Sequence, residues 1–172
     1  KVLDGRLPDF EYTVNLAASW KGFDLSLMGQ GVQGVKHYAS GWGLRPFYQG
    51  SPISQDYIDN MWTEEHTDAK YPRLYFADLG GAKNQRESTY WLYNASYFRL
   101  KNLTFGYTLP KALTSKAKIE RLRFYFSGDN LLTSTKFPQG GDPERNYNST
   151  KGTRLVYYPQ NRIISFGVNL EF

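Results

Sequence analysis

The 172 residues include 17% aromatic side chains, 16 Gly, 8 Pro and no Cys, and the mean hydropathy is −0.59. No run approaches the roughly 18 consecutive apolar residues of a membrane helix, which excludes a helical membrane protein but not a β-barrel, whose strands turn only alternate residues to lipid. The formal charge of +5 is dispersed, with Lys and Arg interleaved with Asp and Glu and no basic run, so the pattern is that of a mixed solvated surface and speaks against nucleic acid. The absence of cysteine fits a compartment that oxidises free thiols.

Phe10 to Trp20 alternates strictly, with Phe10, Tyr12, Val14, Leu16, Ala18 and Trp20 on one face and Glu11, Thr13, Asn15, Ala17 and Ser19 on the other. Its length matches the roughly 9 to 11 residues with which a tilted strand crosses a bilayer. Lys21-Gly22 predicts a tight turn, Gly supplying a positive φ. A second arm follows, with Phe23, Leu25 and Leu27 against Asp24, Ser26, Met28 and Gln30, thinning into Gly29, Gly31 and Gly34. Trp20 and Phe23 beside the turn suit an interfacial aromatic belt. Gly29 to Gly34 matches G-x-G-x-x-G in form, but Val35 to Gly41 has no helical period, so no helix opens there to hold a dinucleotide phosphate.

From about Gly34 to Asn94 turn residues dominate, among them Pro46, Ser51-Pro52, Pro72 and Gly80-Gly81. A loop of that length is foreign to compact soluble domains and usual outside an outer-membrane barrel. Within it, Gln55 to Thr67 predicts a short helix from the spacing of Ile58, Met61 and Trp62. Alternation resumes at Tyr97 to Leu109, stops at Pro110, and returns over Arg121 to Leu131. A second long loop precedes the last segment, where Ile164, Phe166, Val168, Leu170 and Phe172 alternate with Ser165, Gly167, Asn169 and Glu171. The five predicted strands are thus joined by short, long, short and long connections. That asymmetry is the layout of bacterial outer-membrane barrels, with tight periplasmic turns and large outside loops.

Chemistry has little anchor. His37 and His66 stand apart without metal-ligand spacing. Glu64-Glu65 and Asp142-Pro143-Glu144 read as exposed acids and a turn rather than a paired-carboxylate or calcium site. No Ser sits in a nucleophile elbow. The chain is therefore read as a non-enzyme without a cofactor or metal. Loop aromatics, with Trp42, Tyr48, Trp62, Tyr75 and Trp91 as the candidates, suit stacking on sugar rings or packing against a peptide, although aromatics more commonly serve to hold long loops together. The other face carries Glu11, Asn15, Asp24, Gln30, Asn102, Arg123, Asp129, Asn169 and Glu171, a mixture of signs that argues against a single-charge ion pore.

Tyr97-Phe98-Arg99-Leu100-Lys101-Asn102-Leu103-Thr104-Phe105-Gly106-Tyr107-Thr108-Leu109-Pro110 resembles a segment of SusC/RagA-type TonB-dependent transporters of the Bacteroidetes outer membrane. Trp62-Thr63 with Tyr71-Pro72-Arg73, Tyr125 to Leu131, Asp142-Pro143-Glu144, Tyr158-Pro159 and Ser165 to Phe172 agree in the same order. The resemblance implies an all-β fold, with residues 1–172 the C-terminal portion of a plugged barrel of about 22 strands and not closed on its own. It implies extracellular loops at 34–96 and 132–161, a closing strand at 162–172, and an assembly signal in Ile164, Phe166, Val168, Leu170 and Phe172. The implied role is uptake of oligosaccharides or peptides. The implied partners are the N-terminal barrel and plug, a SusD-like lipoprotein, the TonB complex reached through residues outside the chain, and outer-membrane lipid. A secreted β-sandwich carbohydrate-binding module and a passive porin or adhesin barrel remain the alternatives on the residues alone.

Overall fold

The computed structural model describes residues 7–38, 46–47, 52–74, 88–138, 141–144 and 160–172. It divides into two units, a sheet and a set of connecting segments. The sheet contains β1 (Phe10–Trp20), β2 (Phe23–Gln33), β5 (Tyr97–Thr108), β6 (Arg121–Thr135) and β7 (Ile163–Glu171), hydrogen-bonded in that order and antiparallel throughout. The connecting unit contributes a short ribbon of β3 (Lys36–Tyr38) and β4 (Leu92–Asn94) and the five-residue helix α1 (Gln55–Asp59). A second short helix, α2 (Lys111–Thr114), lies between β5 and β6 and runs on into a 3-10 turn, Ser115–Ala117.

Each long strand forms where the period-2 pattern is, because alternation lets one face gather apolar groups while the backbone pairs sideways. The register aligns Leu16, Leu27 and Leu103 across β1, β2 and β5 and Phe105, Phe126 and Phe166 across β5, β6 and β7. Lys101 is an extra residue at a bulge, and it resets the parity of β5 so that Phe98 and Leu100 join Leu103 and Phe105 on the apolar face. Asn130 on the facing strand takes a left-handed φ of 52° there. Across the sheet this face is uncovered: Leu16, Phe166 and Val168 are all more than half exposed. A β-sandwich would lay a second sheet over such a face; among the described residues a single five-stranded sheet stands without one.

Three expectations change. β6 continues past Leu131 to Thr135, because Leu100, Arg99, Phe98 and Tyr97 keep offering partners to Leu132 through Thr135 beyond the bulge; the second long connection accordingly starts after Thr135 rather than at residue 132. The helix expected over Gln55 to Thr67 ends at Asp59, since the Trp62 N–H donates to Tyr71 O (2.9 Å) and the Tyr71 N–H to Asn60 O (2.9 Å), drawing the chain into a bridge. Gly29 and Gly31 are not a fraying strand end. A Cβ on Gly29 would stand 2.5 Å from the Phe98 ring and one on Gly31 2.0 Å from the Tyr12 ring, so the two glycines make room for large rings from both neighbouring strands. Those rings stack on each other at 6.2 Å.

At the β1–β2 turn Lys21 and Gly22 both have positive φ, 47° and 88°, the two-residue turn whose twist matches a hairpin. The Gly22 carbonyl accepts from the Thr108 N–H at 2.8 Å, and a Cβ on Gly22 would lie 2.7 Å from the Thr108 carbonyl oxygen. A backbone neighbour cannot swing away. Gly22→Ala is expected to destabilise the protein folded in detergent by about 1–2 kcal/mol, read as a lower urea midpoint of its tryptophan emission.

Candidate functional site

The polar face of the sheet is organised by one residue type at one position. Asp24, Gly106, Tyr125 and Gly167 lie in a row across β2, β5, β6 and β7. Arg123 starts two pairs further along, opposite Thr108 and Asn169. Because Gly106 has no side chain, the Arg123 guanidinium lies flat across it, and a Cβ there would be 2.5 Å from Nη2. Arg123 Nε donates to Asp24 Oδ1 at 2.9 Å and Nη2 to Oδ2 at 2.5 Å, a two-pronged charged contact over the intervening strand. The guanidinium also packs 5.1 Å from the Tyr125 ring centre, and that ring in turn covers Gly167. One polar chain thus spans four strands.

Further along the same face, Asn102 Nδ2 donates to Asp129 Oδ1 at 2.7 Å and Thr104 Oγ1 to Asn102 Oδ1 at 3.4 Å. Arg99, almost wholly buried, donates from Nε to Thr133 Oγ1 at 2.9 Å. The mixture of signs expected for this face is therefore arranged as cross-strand pairs.

In the connecting unit, α1 is opened by Ser54, whose Oγ accepts from the Tyr57 N–H at 3.2 Å. The first turn presents Asp56. Its Oδ2 accepts from Tyr71 OH at 2.5 Å and from Lys70 Nζ at 2.9 Å, and Asn60 Nδ2 donates to Oδ1 at 3.1 Å. The Tyr71 hydrogen bond, then Lys70, hold the Asp56 carboxyl below the ordinary carboxylate range, and interaction with Tyr71 first and Asp56 second holds Lys70 above the ordinary ammonium range. Tyr57 stacks on Tyr71 at 4.5 Å, nearly parallel, and donates to Pro72 O at 3.1 Å. Burial pushes the Tyr57 phenol up to about 12, and likewise Tyr93. The Tyr90 hydroxyl donates to the Lys70 carbonyl.

Of the aromatic candidates, Trp42, Tyr48 and Tyr75 lie outside the described residues. Trp62 is half-buried with the Arg73 guanidinium 5.9 Å from its ring. Trp91 is buried, packed edge-on by Tyr90 at 4.8 Å. His37 is half-buried edge-on to Phe137 at 6.0 Å, and burial lowers its pKa against a backbone hydrogen bond at Pro143. Among the described residues no three His, Asp or Glu gather as metal ligands. Ile164, Phe166, Val168, Leu170 and Phe172 stand exposed, the first four on the apolar face of β7. Sequence reading singled out neither the Asp24–Arg123 pair, 99 residues apart, nor the Asp56–Lys70–Tyr71 cluster. The neighbouring Gly106 in an otherwise regular alternation was the one local signal of the first.

No family model matches the chain. Among curated proteins it is similar to TonB-dependent receptor P3 of Formosa agariphila, 33% identical over 182 residues and covering 100% of this chain, and to TonB-dependent receptor P26 of the same organism, 27% identical over 177 residues and covering 99%. It spans 17% and 18% of the length of those relatives. Similar solved structures are the RagAB peptide importer in its closed-closed state (27% identity, TM-score 0.71, 100% of this chain and 18% of that one) and in its open-open state (28%, 0.68, 96% and 17%).

Two outcomes test this geometry. In a double-mutant cycle of Asp24→Ala and Arg123→Ala, the coupling should be about 1 kcal/mol, since Asp24 is partly exposed and screening trims the pair; urea titration of the detergent-folded protein measures it. The raised phenol of Tyr57 favours the folded state fully below its unfolded pKa near 10, and that contribution is lost as pH rises through about 12. Tyr57→Phe should accordingly remove an ionisation centred near 12 from the 295 nm absorbance titration, and removal of one near 10 would contradict the packing described.

Proposed function

Because the chain belongs to the SusC/RagA-type TonB-dependent receptors and spans a part of their length, we propose that it forms part of the wall of an outer-membrane importer. The observation that carries this is the lone five-stranded antiparallel sheet with one face apolar and uncovered and the other polar and cross-linked. In lipid such a face needs no second layer. Among the described residues the edges at β1 and β7 each have a neighbour on one side only, and hydrocarbon supplies no water for the other, so further strands of the same receptor complete them.

On this reading the apolar face meets outer-membrane lipid and the Asp24–Arg123 face looks into the lumen. The tight connections lie on the periplasmic side, and the segments at 34–96 and 136–162 lie outside the cell. The substrate is a peptide, a choice favoured over an oligosaccharide by the likeness to a peptide importer. The loop segments receive it with a SusD-like surface lipoprotein as partner. Trp62, with Trp42, Tyr48 and Tyr75, is the aromatic set offered to it. Energy comes from TonB acting on a plug outside these residues. Phe172 and its alternating row serve as the assembly signal.

Uptake of labelled oligopeptides and oligosaccharides by cells with and without the receptor gene tests the substrate: peptide uptake should fall on deletion while oligosaccharide uptake holds, and the reverse pattern would refute the peptide assignment. Trp62→Ala should raise the half-saturating peptide concentration about tenfold, as loss of a stacking contact does, at unchanged surface level. Phe172→Glu should instead lower the amount of receptor in the outer membrane and leave the peptide affinity of the inserted molecules intact.

A further inference from the structure

The end of the sheet that carries the tight connections has a charge pattern that neither the fold nor uptake requires. Trp20, Phe23 and Tyr107 pair across β1, β2 and β5 at this end, and the Thr108 N–H ties β5 to the β1–β2 turn. Arg121 faces Glu171 on the neighbouring strands. Lys21 in the first turn and Lys111, Lys116 and Lys118 in the second connection are therefore gathered at one end of one sheet. Residues 111–118 contain three lysines and no acid.

These lysines are left out of the salt bridges of the sheet. All four are exposed and make no ion pair among the described residues, whereas Arg121 is engaged by Glu171 at 3.5 Å and Arg123 by Asp24. A second feature stands directly beside them. Trp20 is 68% exposed with Lys21 Nζ 4.8 Å over its ring, and Leu113, within the same short connection, is 65% exposed. Exposed ammonium groups sharing this end with an exposed indole and an exposed aliphatic side chain match the chemistry of a phospholipid, an anionic headgroup next to acyl chain. An acidic protein surface would match the charge but would leave Trp20 and Leu113 unexplained.

We infer that the short-connection end binds the headgroups of anionic phospholipids, with Lys21, Lys111, Lys116 and Lys118 contacting phosphate while Trp20 and Leu113 enter the acyl boundary. This rests on the barrel reading. Such a collar would fix the depth of the wall by charge as well as by its apolar belt, and it weakens as salt screens exposed pairs over about 8 Å at physiological strength.

The test uses the full-length receptor in bilayers of phosphatidylcholine doped with spin-labelled phosphatidylglycerol or spin-labelled phosphatidylcholine. The wild type should hold the anionic label in preference. A variant carrying Lys21→Gln, Lys111→Gln, Lys116→Gln and Lys118→Gln should lose about threefold of that preference, and the corresponding four Lys→Arg changes should restore it. A preference unaltered by the Lys→Gln set, or absent from the wild type while motionally restricted lipid is plainly present, overturns this inference and leaves the barrel intact. Absence of any restricted lipid around the wild type overturns the barrel reading and the headgroup site together.

Discussion

A strand surrounded by hydrocarbon has nowhere to send its N–H and C=O groups except to the strands beside it. Lateral pairing is therefore the constraint on which this structure depends, and register is its content. A slip of one residue would carry Leu16, Leu27 and Leu103 to the polar side and bring Asp24 and Asn102 to the apolar side. Several devices hold the register: the positive-φ turn at Lys21-Gly22, the bulge at Lys101, and the Arg123–Asp24 bridge laid over Gly106. The bridge spans three strands, so it resists relative sliding of β2 and β6 in a way that no adjacent-strand pair does.

Glycine serves the two faces differently. On the apolar face Gly29 and Gly31 admit the rings of Phe98 and Tyr12, which restores the apolar area the missing side chains would have left bare. On the polar face Gly106 and Gly167 admit Arg123 and Tyr125. A side chain at any of these four positions meets a large neighbour that already occupies its space. The consequence is a sheet whose apolar side is filled by rings and whose opposite side is stapled by charge.

The connecting unit is built on another principle. Its order in the described region comes from hydroxyl and carboxylate contacts around Asp56 and from stacking of Tyr57 on Tyr71. Such contacts are short-range and polar, which suits a segment exposed to water. In the same unit Trp91 is buried while Trp62 is half-buried beside Arg73, so aromatics that look equivalent in sequence have different surroundings. The lysines around Lys21 and Lys111 belong instead to the sheet, and their meaning depends on the end of the sheet at which the pairing gathers them.

The sequence by itself determined the strands, their two faces and the alternation of short and long connections, because period 2 and turn residues are local properties of the chain. β1 spans the residues its alternation marked, Phe10 to Trp20. It also carried the family resemblance, since ordered motifs survive in linear form. What only tertiary structure decided were the contacts made across neighbouring strands. Arg123 reaching Asp24, the rings above Gly29 and Gly31, the extension of β6 to Thr135 and the early end of α1 each depend on a partner distant in sequence. Periodicity reports which side of a strand a residue takes, while lateral register decides what it meets there, and register is a property of the assembled sheet.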